Sequence, residues 1–319
     1  MVLFYIIITT TMNIKMNGLL DNLSNKDFKY EIELVLEGGC MNGAYEVGGL
    51  LLLKQLERKK MVTVNRISGA SVGAFIGLLY AVGKLECYTS CYKEWRERFN
   101  ETIQLKSLKD LLIKVCSEMD DDTFKSLQKN KIFITYYDVK TRSCILKKEY
   151  ESREELWETV LKSCHLPYLI NGELFYKTEE GEYLDGGLPY IFKIQKENEE
   201  NKILYMKLTQ SNRLGTIFNV CDENNLDGRV LEGLLDTYKF FMSGKQTDMC
   251  SFVNDWGFLD MLRYNIIDYI YWFLVYFIIL TNKVVLYFSP SLIKTEFYKK
   301  FSPIGKNLYK TIVRYMVFN

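Results

Sequence analysis

Gly69-Ala70-Ser71-Val72-Gly73 separates a short strand pattern, Val62-Thr-Val-Asn-Arg-Ile67, from an apolar helix pattern, Ala74-Phe-Ile-Gly-Leu-Leu-Tyr-Ala-Val82. A strand that turns abruptly into a helix strains its corner residue, and glycines two before and two after leave room for the bend. The corner serine then projects its hydroxyl at a helix N-terminus, where free N–H groups and the positive end of the helix dipole favour negative charge. The stretch therefore predicts a strand–turn–helix unit that presents Ser71 as a nucleophile.

A second glycine cluster, Glu37-Gly38-Gly39-Cys40-Met41-Asn42-Gly43, precedes it. It follows another strand pattern, Tyr30 to Leu36, and opens a helix pattern, Ala44 to Leu56. The cluster is compatible with a nucleotide loop or a plain tight turn, but it has neither G-x-G-x-x-G spacing nor a Gly-Lys-Ser/Thr ending. A Gly-Gly turn also exposes consecutive backbone N–H groups, which is what an oxyanion hole requires. The third segment is Tyr183-Leu184-Asp185-Gly186-Gly187-Leu188-Pro189. Asp-Gly-Gly is ordinary turn chemistry. Its weight changes because the chain holds one histidine, His165, in Ser163-Cys164-His165-Leu166-Pro167 at the end of a helix pattern. His165 reads as a helix-end or packing residue. A carboxylate within hydrogen-bond reach of a serine can take the proton directly, and Asp185 is the best-placed one.

In this order the three segments resemble the patatin-like phospholipase family, from about Glu31 to Gln210, including Gly43-Ala-Tyr-Glu-Val-Gly-Gly and Ser-Cys-His-Leu-Pro. The resemblance implies a three-layer α/β/α fold with a central, mainly parallel sheet. It implies a catalytic dyad with Ser71 as nucleophile and Asp185 as base. Backbone N–H groups of Gly38, Gly39 and Cys40 would bind the oxyanion, and Gly43, Gly69, Gly73, Gly186 and Gly187 would shape the turns. No metal and no cofactor enter this scheme. Two positions depart from the family pattern: Cys40 replaces a third glycine and Asn42 replaces a Lys or Arg. If position 40 needs a positive φ, a non-glycine there costs about 1 kcal/mol or more.

The implied activity is that of a serine lipid acyl hydrolase, of phospholipase A or lysophospholipase type, acting on fatty-acyl esters of membrane lipid through an acyl-enzyme. The alternatives are an acyltransferase using the same acyl-enzyme, or a catalytically weak membrane-binding protein that keeps the fold.

The chain has 319 residues, 48% of them apolar, enough for one large core with extra elements. A net charge of +1 gives no basis for nucleic-acid binding. The eight cysteines include no C-x-x-C pair and read as reduced thiols of a cytosolic compartment, with Cys87 and Cys91 on one helix face. The acidic run Glu118 to Asp122 reads as a helix cap, since it lacks the glycine and distal glutamate of a calcium loop.

Strand patterns at Lys131–Asp138 and Lys202–Leu208 alternate with helix patterns at Leu108–Val115 and Arg153–Cys164. Such alternation favours a parallel sheet covered on both faces. Residues 1–29 are expected to be a leader, disordered, added as a strand, or a weak anchor, with Val2–Ile8 too short to span a bilayer. Residues 30–221 form the expected catalytic core. A loop at Asp222–Asp227 and a helix around Arg229–Met242 open a C-terminal region, 222–319. Within it, Tyr269 to Asn282 is uncharged and aromatic, and from Lys283 onward seven basic residues face one acid, Glu296. Residues 266–319 are therefore expected to contact a membrane surface from the cytoplasmic side. The contact is either peripheral or a single-pass anchor over 266–288.

Overall fold

A computed structural model describes residues 18–26, 28–102, 105, 107–193, 201–210 and 223–292, with 307 and 311. The run Val2–Ile8 and most of the basic tail lie outside the described residues.

Helix α1 (18–24) leads to β1 (Tyr30–Leu36), a 3-10 turn (Cys40–Asn42), α2 (Gly43–Arg58), β2 (Val62–Ala70) and α3 (Val72–Ala81). Then come α4 (Glu86–Thr102), α5 (Ser107–Ser117), α6 (Asp121–Leu127), β3 (Lys129–Asp138), β4 (Ser143–Glu149) and α7 (Arg153–Ser163). The chain continues through β5 (Tyr176–Lys177), β6 (Glu182–Leu184), β7 (Asn201–Met206), α8 (Glu223–Ser243), β8 (Cys250–Phe252) and α9 (Phe258–Leu292). Caps are legible locally. Asp120 accepts from the Thr123 N–H to start α6, as the acidic run predicts. Ser152 accepts from Glu155 N–H, and Glu155 accepts from the N–H of Glu151, one residue before the cap, which together start α7.

The eight-stranded sheet runs β5-β6-β3-β2-β1-β7-β8, with β4 paired to β3. Its centre, β3-β2-β1-β7, is parallel; β4, β5, β6 and β8 add antiparallel edges. Alternation along β1 assigns the faces. Ile32, Leu34 and Leu36 join the main core beneath α2, α3, α5, α7 and α8. Val35 points the other way, to Phe133, Phe192, Ile203 and Tyr205. That second face is covered by the segment through Phe192, by Val253 and Trp256, and by the start of α9 through Tyr264. The α/β/α expectation holds, with one helical layer and one thinner layer.

The expected loop at 222–227 is helical from Glu223 onward. Packing on α2 explains the difference. A Cβ on Gly48 would stand 1.9 Å from the Val230 carbonyl oxygen, and one on Gly233 would stand 1.9 Å from that of Tyr45. The two helix backbones touch through these glycines. Leu226, Val230 and Leu234 are buried at the contact, and such tertiary burial overrides a turn-like local composition.

Candidate active site

Ser71 stands at the corner between β2 and α3 with φ 54° and ψ −130°. A non-glycine in that region stores about 1–3 kcal/mol, so its surroundings must over-determine it. They do. A Cβ on Gly73 would come within 2.5 Å of the Leu36 carbonyl oxygen, and one on Gly69 within 2.6 Å of the Gly73–Ala74 peptide. The Ser71 N–H donates to Ser163 Oγ at 2.9 Å, and the Cys164 thiol donates to the Ser71 carbonyl at 3.0 Å. The same segment holds the aspartate turn: Asp185 N–H donates to the His165 carbonyl at 3.0 Å and Gly186 N–H to that of Ser163 at 3.3 Å. Ser163 to His165 thus ties the two predicted site residues into one frame. Sequence alone assigns Ser163 and Cys164 no role; their signal is a place at the end of α7, within the Ser-Cys-His-Leu-Pro stretch.

Sheet register explains why Asp185 arrives beside Ser71. The last β2 residue, Ala70, pairs with Thr135 of β3. Leu184 of β6 pairs with Tyr137, while β4 occupies the other edge of β3 over the same residues. Strand β6 therefore continues the β2 edge from the opposite direction, and the residues that end the two strands meet. Gly186 fits there because a Cβ would fall 2.0 Å from the Thr135 carbonyl oxygen, and Gly187 takes the turn at φ 68°.

Asp185 is buried. Its Oδ1 accepts from the Gly187 N–H at 2.8 Å, while Oδ2 has no hydrogen bond of normal geometry among the described residues. Burial lifts the carboxyl from 3.8 to about 6, against the opposing pull of the Ser71 hydroxyl and the Gly187 N–H. The serine hydroxyl is thus close enough to sense the carboxylate without closing a tight bond, a spacing usual before substrate binds. His165 is wholly buried with its ring 5.9 Å from that of Tyr176, and burial lowers it to about 4. It is a neutral packing residue whose backbone, not its ring, serves the site.

The glycine loop closes over Ser71. A Cβ on Gly38 would lie 3.0 Å from Ser71 Cβ and one on Gly39 2.6 Å from Leu208 Cβ, while Gly43 fits between Val72 and Ile76. Neither the Gly38 nor the Gly39 N–H is committed to an acceptor among the described residues. Glu37, which sequence reading passes over, fastens the loop's start: its buried carboxylate accepts from Leu208 N–H, Thr209 N–H, Thr209 Oγ1 and Tyr205 OH. Ser71, Cys40 and Cys164 open into a narrow cleft of about 40 Å³ walled by Val72, Phe75, Trp95, Leu108 and Ile170. A roomier cleft of about 420 Å³ between 24–29 and 59–61 is lysine-rimmed and does not reach Ser71.

Residues 34–190 match the family model described as patatin-like phospholipase. This segment is similar to patatin-like domains. No curated protein matches the chain in sequence. Among solved structures, VipD from Legionella pneumophila is similar at 16% identity and a TM-score of 0.31, over 56% of this chain and 49% of that one.

Both departures of the patatin-like loop are visible. Cys40 sits at φ 49°, so the strain expected of a non-glycine is present. Burial pushes its thiol up to about 12, which keeps it a neutral, poorly nucleophilic neighbour of Ser71. Asn42 is fully buried and engaged within the fold. A cation nonetheless reaches the loop from another element: Arg229 of α8, 1% exposed, donates from Nη1 to the Met41 carbonyl at 3.1 Å. Arg229 is close enough to Cys40 to act on its thiol electrostatically. Nothing in the mixed-polarity sequence of α8 distinguishes Arg229 from Lys239; only packing does.

Proposed function

We propose that the chain is a serine lipid acyl hydrolase in which Ser71 is the nucleophile and Asp185 the base. The single observation that carries this is the strained Ser71 corner facing an unshared, buried Asp185 Oδ2. As Ser71 Oγ bonds to the ester carbonyl carbon, its proton passes to Oδ2, and the carbonyl oxygen becomes an oxyanion. The N–H groups of Gly38, Gly39 and Cys40 receive that charge, with the fixed Arg229 cation behind the loop. Collapse breaks the bond to the alcohol, which leaves with the proton from Asp185. Water then adds to the acyl carbon, gives its proton to Asp185, and the fatty acid departs as Ser71 recovers its hydrogen. At about 6, Asp185 is ionised at neutral pH yet more basic than an ordinary aspartate, which suits this relay.

The apolar cleft beside Ser71 supports an acyl chain as the bound group, and its small volume means that the walls part when one enters. We assign the chemistry to residues 30–221 and membrane contact to residues 266–319, acting on the cytoplasmic side. Among the described residues, one helix, over Phe258–Val284, is long and apolar enough for a bilayer. The experiment is fatty-acid release from mixed phospholipid vesicles with a chelator present. Wild-type protein and His165→Ala are expected to release fatty acid; folded Ser71→Ala and Asp185→Asn are not. Release that survives Ser71→Ala refutes the assignment.

A further inference from the structure

Helix α9 carries two apolar faces, and among the described residues only one of them is covered. The inner face grips the aspartate turn. The Tyr271 hydroxyl donates to the Asp185 carbonyl, and its ring fills the space a Cβ would need at Gly187. Tyr264 OH donates to the Pro189 carbonyl at 3.0 Å. Val275 and Ile279 are buried with Phe175, Leu184 and Tyr137. The outer face is bare: Tyr269 is 74% exposed, Phe273 68%, Tyr276 61%, Phe277 56% and Tyr287 79%. No charge interrupts the sequence between Asp268 and Lys283. Asp268 itself turns to a hydrogen bond with Trp272.

Contiguous apolar surface of this extent marks a binding site, and three observations choose a lipid surface as its occupant. Six of the exposed residues, Phe258, Tyr269, Phe273, Tyr276, Phe277 and Tyr287, are Tyr or Phe, whose rings suit the boundary between headgroups and acyl chains. The sequence from Lys283 onward has seven basic residues against one acid, complementary to anionic lipid. The same helix holds the aspartate of a site read above as acting on membrane lipid. Geometry also decides between lying on the bilayer and crossing it. A span needs ~20 residues. The apolar stretch Phe258–Val284 is clamped to the aspartate turn from Tyr264 to Ile279, so a crossing would carry the catalytic turn into hydrocarbon.

The geometry points to α9 as a surface-lying docking helix: its outer face beds into the interfacial layer of an anionic membrane, and Tyr271 passes that engagement to Asp185. This rests on the lipid-ester reading for its purpose, but not for its test. Tyr271 is a positioning residue, acting through the Asp185 backbone.

The test uses the full chain, with sedimentation on phosphatidylcholine vesicles with and without phosphatidylserine, and hydrolysis of p-nitrophenyl butyrate in free solution. Phe273→Ser/Phe277→Ser is expected to weaken pelleting about tenfold or more while hydrolysis of the soluble ester stays within about twofold. Wild-type turnover of the soluble ester should rise when vesicles of ether-linked, uncleavable lipid are added. Tyr271→Phe should pellet normally and lose that rise. Alkaline carbonate should strip the bound protein from vesicles. Unchanged pelleting of the Phe double variant, or resistance to carbonate, overturns the docking assignment; a vesicle-driven rise that persists in Tyr271→Phe overturns the coupling. Pelleting needs no turnover, so a protein that docks through this face but cleaves neither ester refutes the hydrolase reading alone.

Discussion

Asp185→Asn should make the protein more stable while removing its activity. Folding takes the Asp185 carboxyl from 3.8 to about 6 because burial disfavours the charged form. That rise corresponds to about 3 kcal/mol of ionisation cost carried by the folded state. The sign follows from linkage. A carboxyl raised on folding contributes its stability below the unfolded value, near pH 4, and that contribution is lost as pH rises through about 6. Asparagine cannot ionise, and its side-chain oxygen can still accept from the Gly187 N–H. The variant's advantage should therefore be small near pH 4, grow between pH 4 and 6, and level off above pH 6 at about 3 kcal/mol. Thermal unfolding in mild non-ionic detergent at several pH values would read this as a Tm increase of about 5 °C at pH 8. An equal or lower Tm at pH 8, or a difference that does not change with pH, refutes the account of Asp185 as a desolvated base.

The same carboxyl should set the acid limb of catalysis. The rate of hydrolysis of a soluble ester should rise with pH through about 6, and His165→Ala should leave that limb in place. Cys40→Gly should relieve the positive φ and stabilise the fold by about 1 kcal/mol without loss of turnover, measured by urea midpoint and kcat. Arg229→Met should lower kcat more than it changes KM, and remove a buried charge-assisted bond worth about 1.5–3 kcal/mol. Equal kcat in a folded Arg229→Met variant would remove the cation from the account of the oxyanion loop.

The parts of this fold legible in sequence are those where local chemistry and tertiary outcome agree. Tyr30–Leu36 into Gly38-Gly39, and Val62–Ile67 into the Ser71 corner, are long periodic patterns ending in residues with few conformational options. The short edges are not legible. Strand β4, Ser143-Cys-Ile-Leu-Lys-Lys-Glu149, has no clean alternation because it is half-exposed on both faces, and β6 and β8 have three residues each. Pairing partners, not propensity, make them strands. At the site, Ser71 and Asp185 can be named because motifs mark them. Ser163, Glu37 and Arg229 cannot, since each acts through hydrogen bonds set by packing between segments far apart in sequence. The 222–227 stretch misleads for the same reason: its Asn and Asp residues read as a turn until α2 is there to bury Leu226 and Val230.

The junction of α2 with α8, and of β1 with β7, has a consequence for synthesis. The family match ends at residue 190, after both Ser71 and Asp185. Yet β1, at the centre of the sheet, gains its second neighbour only with residues 201–206, and β7 is in turn covered by β8 at 250–252. On the ribosome, a nascent chain that already holds Ser71 and Asp185 still shows a bare strand edge and the glycine furrow of α2. Translation must add about sixty more residues before that hazard closes, an interval at usual elongation rates of several seconds. An aggregation-prone interval, after Ser71 and Asp185 are made but before β1 gains its second neighbour, is thus built into the order of the elements.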